Sequence, residues 1–408
     1  MHDIIVFGAT SFVGQILVRY LAERYPRGEL RWAIAGRSAE KLAALRESLG
    51  AAYAQLPLIV ADAHDDAALR TMCQTTRLIV STVGPYARYG EPLVRACAEV
   101  GTDYCDLTGE LLWIRRMIER YESRARATGA RILHCCGFDS IPSDLGVYLL
   151  QREAVRRSGA PCAEVKLRVR QLHGGVSGGT AASMLNMVRE VAADPALRRE
   201  LADPYLLCPA PAAGQRQPSL TEIGYDSELD SWCAPFIMAG INTRIVHRSN
   251  ALQQFAYGRD FRYGEGMLMG RGLGGQLRAT AVSLGMATLM LAGAVGPTRT
   301  LLERYLLPAP GTGPSEVAQQ RGSFALQLYG RTNNGALIGV TVTGDRDPGY
   351  GSTARMLGEA AACLIYDCPA EVAGGFWTTA SLLGDKLIAR LEHWAGLRFT
   401  VELLDVDV

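Results

Sequence analysis

The run "IIVFGATSFVGQILVRYLAERY" (residues 4–25) decides the reading of this chain. It opens with four apolar residues, turns at Gly8, and continues into a segment where Val13, Ile16, Leu17 and Leu21 share one helical face. Strand, glycine turn and helix in this order are what a dinucleotide needs. Gly8 lets the backbone turn sharply, Gly14 lets the helix pack closely on the sheet, and free N–H groups at the helix start meet a pyrophosphate. Ser11 stands where the middle glycine of a GxxGxxG series would, and its small side chain still admits phosphates. Gly8, Thr10, Ser11, Phe12, Val13 and Gly14 are therefore expected at the pyrophosphate.

The second apolar run ends in "AGRS" (35–38). An acidic residue here would bind the two ribose hydroxyls of NAD, whereas Arg37 pairs with a 2′-phosphate. NADP(H) is the expected cofactor, with Arg37, Ser38 and Lys41 around its phosphate. Asp62 follows the third strand, where it faces an adenine or caps the helix beginning near Asp65. Val83, Gly84 and Pro85 follow the fourth strand and are expected at the nicotinamide end, because ligands of open parallel sheets lie beyond the carboxyl ends of the strands.

Working outward, the first 140 residues alternate short apolar runs with amphipathic stretches. Strands are expected at 3–7, 31–35, 57–61, 78–82, 102–106 and 131–135, with helices between them. This gives an α/β fold: an N-terminal Rossmann-type, doubly wound parallel sheet over residues 1–142. Residues 143–349 read as a second, α+β domain for substrate and dimerisation, with strands at 164–172, 241–247, 324–328 and 336–344. Residues 350–408 return as helices toward the first domain, then a final strand, so the second domain is an insertion.

The chain has 408 residues, 48% hydrophobic and 20% charged, with a net charge of +1. This is a globular composition. The charge balance argues against nucleic acid as the main partner. Ten scattered cysteines show neither a disulfide framework nor zinc spacing, and no metal site is expected. No secretory signal opens the chain, so a cytoplasmic location is expected. No GxSxG elbow or HExxH motif supports a hydrolase. Between Arg278 and Arg299 run 20 residues without a charge. The segment 279–297 reads as a buried helix, a lining for an acyl channel or a peripheral contact with a membrane, its glycines and hydroxyls arguing against a full span.

Polar groups cluster after the fourth, fifth and sixth strands. Tyr86, Tyr89 and Glu110 are the candidates for catalysis, since hydride transfer needs a group that stabilises developing negative charge and a proton source. Asp139 and Ser140 are candidates for substrate binding or for capping the next helix. "QLHGGVSGGTAASM" (171–184) places His173, Ser177 and Thr180 as further substrate candidates, because a glycine-rich turn between strand and helix resembles a phosphate cradle. It equally serves as a chain reversal.

"VFGATSFVGQ", "AGRSAEKL", "GPYARYGEPLVRACAEVGTDYCDLTGE", "GFDSIPSDLG", "GGTAASM", "PGTGPSEVAQQRG" and "DPGYGSTARMLGEAA" together resemble the saccharopine dehydrogenase-like oxidoreductases, most closely the branch of trans-acting enoyl reductases. The likeness spans nearly the whole chain. It implies a nicotinamide-binding domain joined to an α/β substrate domain, often a homodimer, reducing a carbon–carbon double bond of an acyl or polyketide chain in lipid metabolism, the substrate being free or carrier-bound. It transfers no catalytic residue, so Tyr86, Tyr89 and Glu110 stand on position alone. Two alternatives remain. One is saccharopine-type C–N chemistry, for which Arg168, Arg170, Arg244 and Arg248, read on second-domain strands, would clamp carboxylates. The other is a weakly catalytic NADP-binding protein at lipid surfaces.

Overall fold

The computed structural model describes residues 1–404 except 27, 175–177, 195, 210–214, 220 and 306–312, and describes only the backbone of 178–184, 186, 301–305 and 404. Six strands come first: β1 His2–Phe7, β2 Trp32–Gly36, β3 Leu58–Val60, β4 Thr76–Ser81, β5 Asp103–Asp106 and β6 Arg131–Leu133. Between and after them run α1 Phe12–Arg24, α2 Ala39–Ser48, α3 Asp66–Gln74, α4 Tyr86–Tyr89, α5 Glu91–Val100, α6 Leu111–Thr128 and α7 Ile141–Ser158. All pairings in this sheet are parallel, with Ile4 in register with both Trp32 and Leu78. The sheet is buried on both faces, which is why β1 reads as an unbroken apolar run. Ile4 and Val6 join Leu17 and Leu21 on one side, while Ile5 and Phe7 join Leu69, Met72 and Leu93 on the other.

The chain then builds β7 Glu164–His173, α8 Gly178–Ala193, α9 Ala196–Ala202, β8 Gly224–Asp226, β9 Ser231–Ala234, α10 Ala239–Leu252 and β10 Arg262–Gly270. There follow α11 Gly272–Ala294, α12 Gly296–Tyr305, α13 Glu316–Arg321, β11 Ser323–Arg331 and β12 Leu337–Gly344. After α14 Thr353–Tyr366 come β13 Gly375–Trp377, α15 Thr379–Leu382, α16 Gly384–Trp394 and β14 Leu397–Leu404. β13 returns to the first sheet, giving the order β13-β6-β5-β4-β1-β2-β3, and β14 closes the second, β14-β12-β11-β7-β10-β9-β8. In the second sheet only β7 and β10 run parallel.

The C-terminal helices seal one face of the first sheet. The fully buried Glu359 on α14 accepts a hydrogen bond from Tyr20 (2.7 Å) and ion-pairs with Arg24 (3.3 Å) and Arg390 (3.0 Å).

Two expectations need correction. Residues 241–247 are not a strand but the middle of α10. Ala239, Ile241, Asn242, Ile245, Val246 and Ser249 are all buried, so this helix is enclosed on nearly every side and shows no clean helical period. The charge-free segment does form a helix, α11, but not a buried one: of its residues only Gly275, Ala279 and Gly293 are buried.

Candidate active site

The turn after β1 is locked from within. Gly8 has φ +84°, and a β-carbon there would come within 2.6 Å of Val83. At Gly14 a β-carbon would lie 2.3 Å from the Gly8 carbonyl oxygen, so only glycine lets α1 begin this close to the strand. Ser11 caps α1, its hydroxyl accepting from the Gly14 N–H (2.9 Å). It also meets the Thr82 hydroxyl at 3.0 Å, and Thr82 donates to the Gly8 carbonyl at 2.9 Å. Thr82, which the sequence reading passed over, thus ties the end of β4 to the glycine turn. Phe12 and Val13 open the helix and line the cavity beyond it, where first-turn N–H groups without intrahelical partners suit an anion.

That cavity, about 1760 Å³, is walled by the loops after β1 to β6 on one side and by α8, α10 and α11 on the other. It exceeds the space a single small ligand needs. Arg37 and Lys41 line it and are exposed, and Arg37 makes no ion pair among the described residues. Ser38 caps α2 through the Lys41 N–H (3.3 Å). Asp62 lines the same end and accepts from the His64 N–H (2.9 Å), while the cap of α3 is Asp65. A rigid glycine cradle beside a cation left unneutralised by the fold fits an NADP(H) pyrophosphate and 2′-phosphate.

The three residues expected to react all line the cavity, and two of them also hold the loop after β4 together. Tyr86 is buried; its hydroxyl donates to the Ser81 carbonyl (3.0 Å) and accepts from the Leu107 N–H (3.2 Å). Burial and the nearby Asp106 push its phenol well above the usual tyrosine range. Glu110 accepts from the N–H groups of Tyr86 (2.8 Å) and Ala87 (2.9 Å), capping α4. Both residues therefore shape the loop holding Val83, Gly84 and Pro85, which do line the cavity. Tyr89 also lines it, beside His64 of the loop after β3 (ring centroids 5.5 Å apart).

Asp139 is the group the geometry brings forward. It lines the cavity just past β6, and its carboxylate takes no hydrogen bond among the described residues. Removal from water, reinforced by the neighbouring Asp106, raises its pKa to about 7. Asp106 is itself held by His134 (2.7 Å), Tyr104 (3.0 Å) and the Thr108 N–H (3.0 Å).

The remaining substrate candidates scatter. Ser140 is buried against Asn242 (3.1 Å) and is absent from the cavity wall. His173 is exposed at the end of β7, where Nδ1 meets Gln171 (3.0 Å) and Ser323 (3.3 Å), outside the cavity. Ser177 lies outside the described residues, and Thr180 is described only as backbone of α8.

The arginine clamp is not assembled either. Arg168 on β7 is paired with Asp226 (2.6 Å), and Arg170 is exposed. Arg244 and Arg248 lie on α10, not on strands. Arg244 donates to the carbonyls of Leu201 (2.6 Å) and Asp203 (3.2 Å), and Arg248 to those of Leu207 and Phe376. What α10 does offer, unforeseen from sequence, is His247. Burial lowers its pKa to about 3, and its neutral Nε2 has no hydrogen-bond partner among the described residues of the cavity wall.

A cradle for a 2′-phosphorylated dinucleotide, opening onto a second sheet and its helices, defines the chain as an NADP(H)-dependent oxidoreductase. Comparison with known proteins agrees. Residues 4–133 match the saccharopine dehydrogenase NADP binding domain. The chain is 42% identical over 407 residues to a trans-acting enoyl reductase of Mycobacterium bovis BCG, and 40% identical to that of Mycobacterium ulcerans, in each case across 95% of both chains. Apo saccharopine dehydrogenase (L-Glu forming) from Saccharomyces cerevisiae superposes with a TM-score of 0.56 at 14% identity, covering 99% of this chain and all of that one. The chain belongs to the saccharopine dehydrogenase-like oxidoreductases, in the family of the trans-acting enoyl reductases.

Proposed function

We propose that this chain reduces the carbon–carbon double bond of an α,β-unsaturated acyl or polyketide thioester delivered by a separate synthase. The observation carrying this reading is the cavity itself. Its wall joins the dinucleotide loops to apolar side chains that include Met187, Phe236, Met238, Ile241, Met286 and Met290. An acyl chain fits such a lining, whereas the arginines expected to clamp an amino-dicarboxylate are engaged or outside it: Arg168 pairs with Asp226, Arg244 and Arg248 bind backbone carbonyls, and Arg170 does not line the cavity.

NADPH, when bound, supplies a hydride. Gly8 and Thr10 to Gly14 hold its pyrophosphate, Arg37, Ser38 and Lys41 its 2′-phosphate, Asp62 its adenosine and Val83, Gly84 and Pro85 its nicotinamide end. Conjugate reduction also needs a proton at the α-carbon. Asp139 holds one near neutral pH because the apolar wall and Asp106 disfavour its charged form. Tyr86 and Glu110 position the loop and also reach the cavity wall.

The test is NADPH oxidation against a panel of enoyl thioesters and, in parallel, oxo-acid plus amine pairs. Turnover of thioesters alone supports the reading, and turnover of the amine pairs alone overturns it. With an active thioester, Asp139→Asn should lower kcat while leaving the NADPH Kd unchanged.

A further inference from the structure

We infer that the outer face of α11 docks on a lipid bilayer carrying anionic headgroups. Its four exposed large apolar residues are Leu273, Leu277, Leu284 and Leu291, and the exposed Val295 follows its last turn. At 3.6 residues per turn they fall within about 40° of one another, as a single stripe along a helix roughly 34 Å long. Around it stand Thr280, Ala281, Gly285, Ala287, Thr288 and Ala294, so residues 279–298 carry no charge over the whole exposed arc.

The hydroxyls on this helix are spent on its own backbone. Thr280 donates to the Gln276 carbonyl (2.9 Å), Ser283 to that of Ala279 (2.9 Å) and Thr288 to that of Leu284 (2.8 Å). Nothing on the outer face from Ala279 onward therefore requires water.

The occupant follows from three features. A pairing of two such helices would cover a narrow seam, whereas the uncharged arc spans about half the helix circumference, as a surface partly sunk in acyl chains needs. The charges fit anionic headgroups: α11 contains no acidic residue, and Arg278 lies about 120° round from the stripe at its rim and makes no ion pair among the described residues. Crossing the bilayer is excluded by the anchoring of both ends. A β-carbon at Gly275 would lie 1.9 Å from the Gly270 carbonyl oxygen on β10, and one at Gly293 3.0 Å from Leu185 on α8. The helix is thus clamped along its inner side and free along the outer one.

That inner side is the cavity wall, through Met286 and Met290. Bilayer docking stands on α11 alone. The passage of an acyl chain from the bilayer, past those methionines and into the cavity, rests on the substrate reading above.

The experiment is cosedimentation of the full chain, with NADPH present, on phosphatidylcholine vesicles with and without phosphatidylglycerol. Wild type should bind both, more tightly with phosphatidylglycerol. The double variant Leu284→Glu/Leu291→Glu should bind about a hundredfold more weakly. Arg278→Ala should lose about fivefold on the anionic vesicles only. NADPH binding should match wild type in both variants, which reports intact folding. Two results overturn the inference: no cosedimentation of wild type, or a wild-type dimer that binds no vesicle and becomes monomeric in the double variant, which would assign this face to a second copy. Vesicle binding without thioester turnover would leave the docking supported and defeat the substrate reading alone.

Discussion

Replacing Arg37 with alanine tests the contact proposed to contribute most, beside Ser38 and Lys41, to the choice of NADPH over NADH. Arg37 follows β2, exposed on the cavity wall and without an ion pair among the described residues, so its removal leaves no buried carboxylate stranded. A charge-assisted hydrogen bond to a phosphate contributes about 1.5–3 kcal/mol. Solvent exposure places the effect toward the lower part of that range. NADPH should therefore bind about tenfold to thirtyfold more weakly, while the NADH Kd changes by less than about twofold. Fluorescence titration of both cofactors on one sample measures this. Arg37→Lys should recover part of the loss, because an ammonium keeps the charge without the planar fork. Raising the salt concentration should narrow the gap between wild type and Arg37→Ala, since the contact is exposed. Equal loss for both cofactors would refute the assignment of Arg37 to the 2′-phosphate.

With an active substrate, kcat should fall as pH rises through about 7, where Asp139 loses its proton, and Asp139→Asn should abolish that limb of the profile. The same group ties stability to pH. Its folded pKa of about 7 lies above the ordinary 3.8, so its contribution is full below about pH 4 and lost as pH rises to 7, and urea midpoints of Asp139→Asn should lack that slope. Tyr86→Phe removes the donor to the Ser81 carbonyl and should cost about 1–2 kcal/mol in urea unfolding, with turnover falling no more than cofactor-loop loosening explains. Glu359→Ala leaves Arg24 and Arg390 without their buried partner and should destabilise by about 3–5 kcal/mol, read by the same unfolding experiment.

The legible parts of this chain are those where a local rule and the tertiary structure agree. Residues 4–25 are readable because β1 is buried on both faces and Gly14 tolerates no β-carbon, so apolar run and glycine spacing both reach the surface of the sequence. Arg37 is readable as a cavity residue because it directly follows β2, whose carboxyl end opens on the cavity. The strand expected at 241–247 fails because α10 is enclosed on nearly every side, and a helix that buries Asn242, Arg244 and Ser249 along with Ile245 carries no apolar stripe. His173 is read from its place at a strand end, but only the second sheet's packing tells that no described residue of β7 reaches the cavity wall. Tyr86 and Glu110 are legible as residues of the cavity loop, but their hold on that loop is not, because a sequence does not show that two N–H groups of α4 await a carboxylate.

Asp139 shows why the site depends on the whole topology rather than on one motif. Its pKa needs Asp106, which β5 places beside β6, and it needs the water-excluding wall that the second sheet and its helices add. That wall exists only because β13 and β14 return the chain to both sheets after the insertion, and because Glu359 fixes α14 against α1. Tyr350, just before α14, meets Phe12 edge to face at 4.8 Å, so the returning segment also covers the start of the cofactor helix. Loosening the C-terminal return should therefore act at the chemistry from a distance. A Glu359→Gln variant, gentler than alanine, should weaken NADPH binding and lower the pKa seen in the kcat profile together, since both depend on the same closed wall. A stability loss that left both unchanged would mean that the first sheet and its loops hold the site without help from the C-terminal helices.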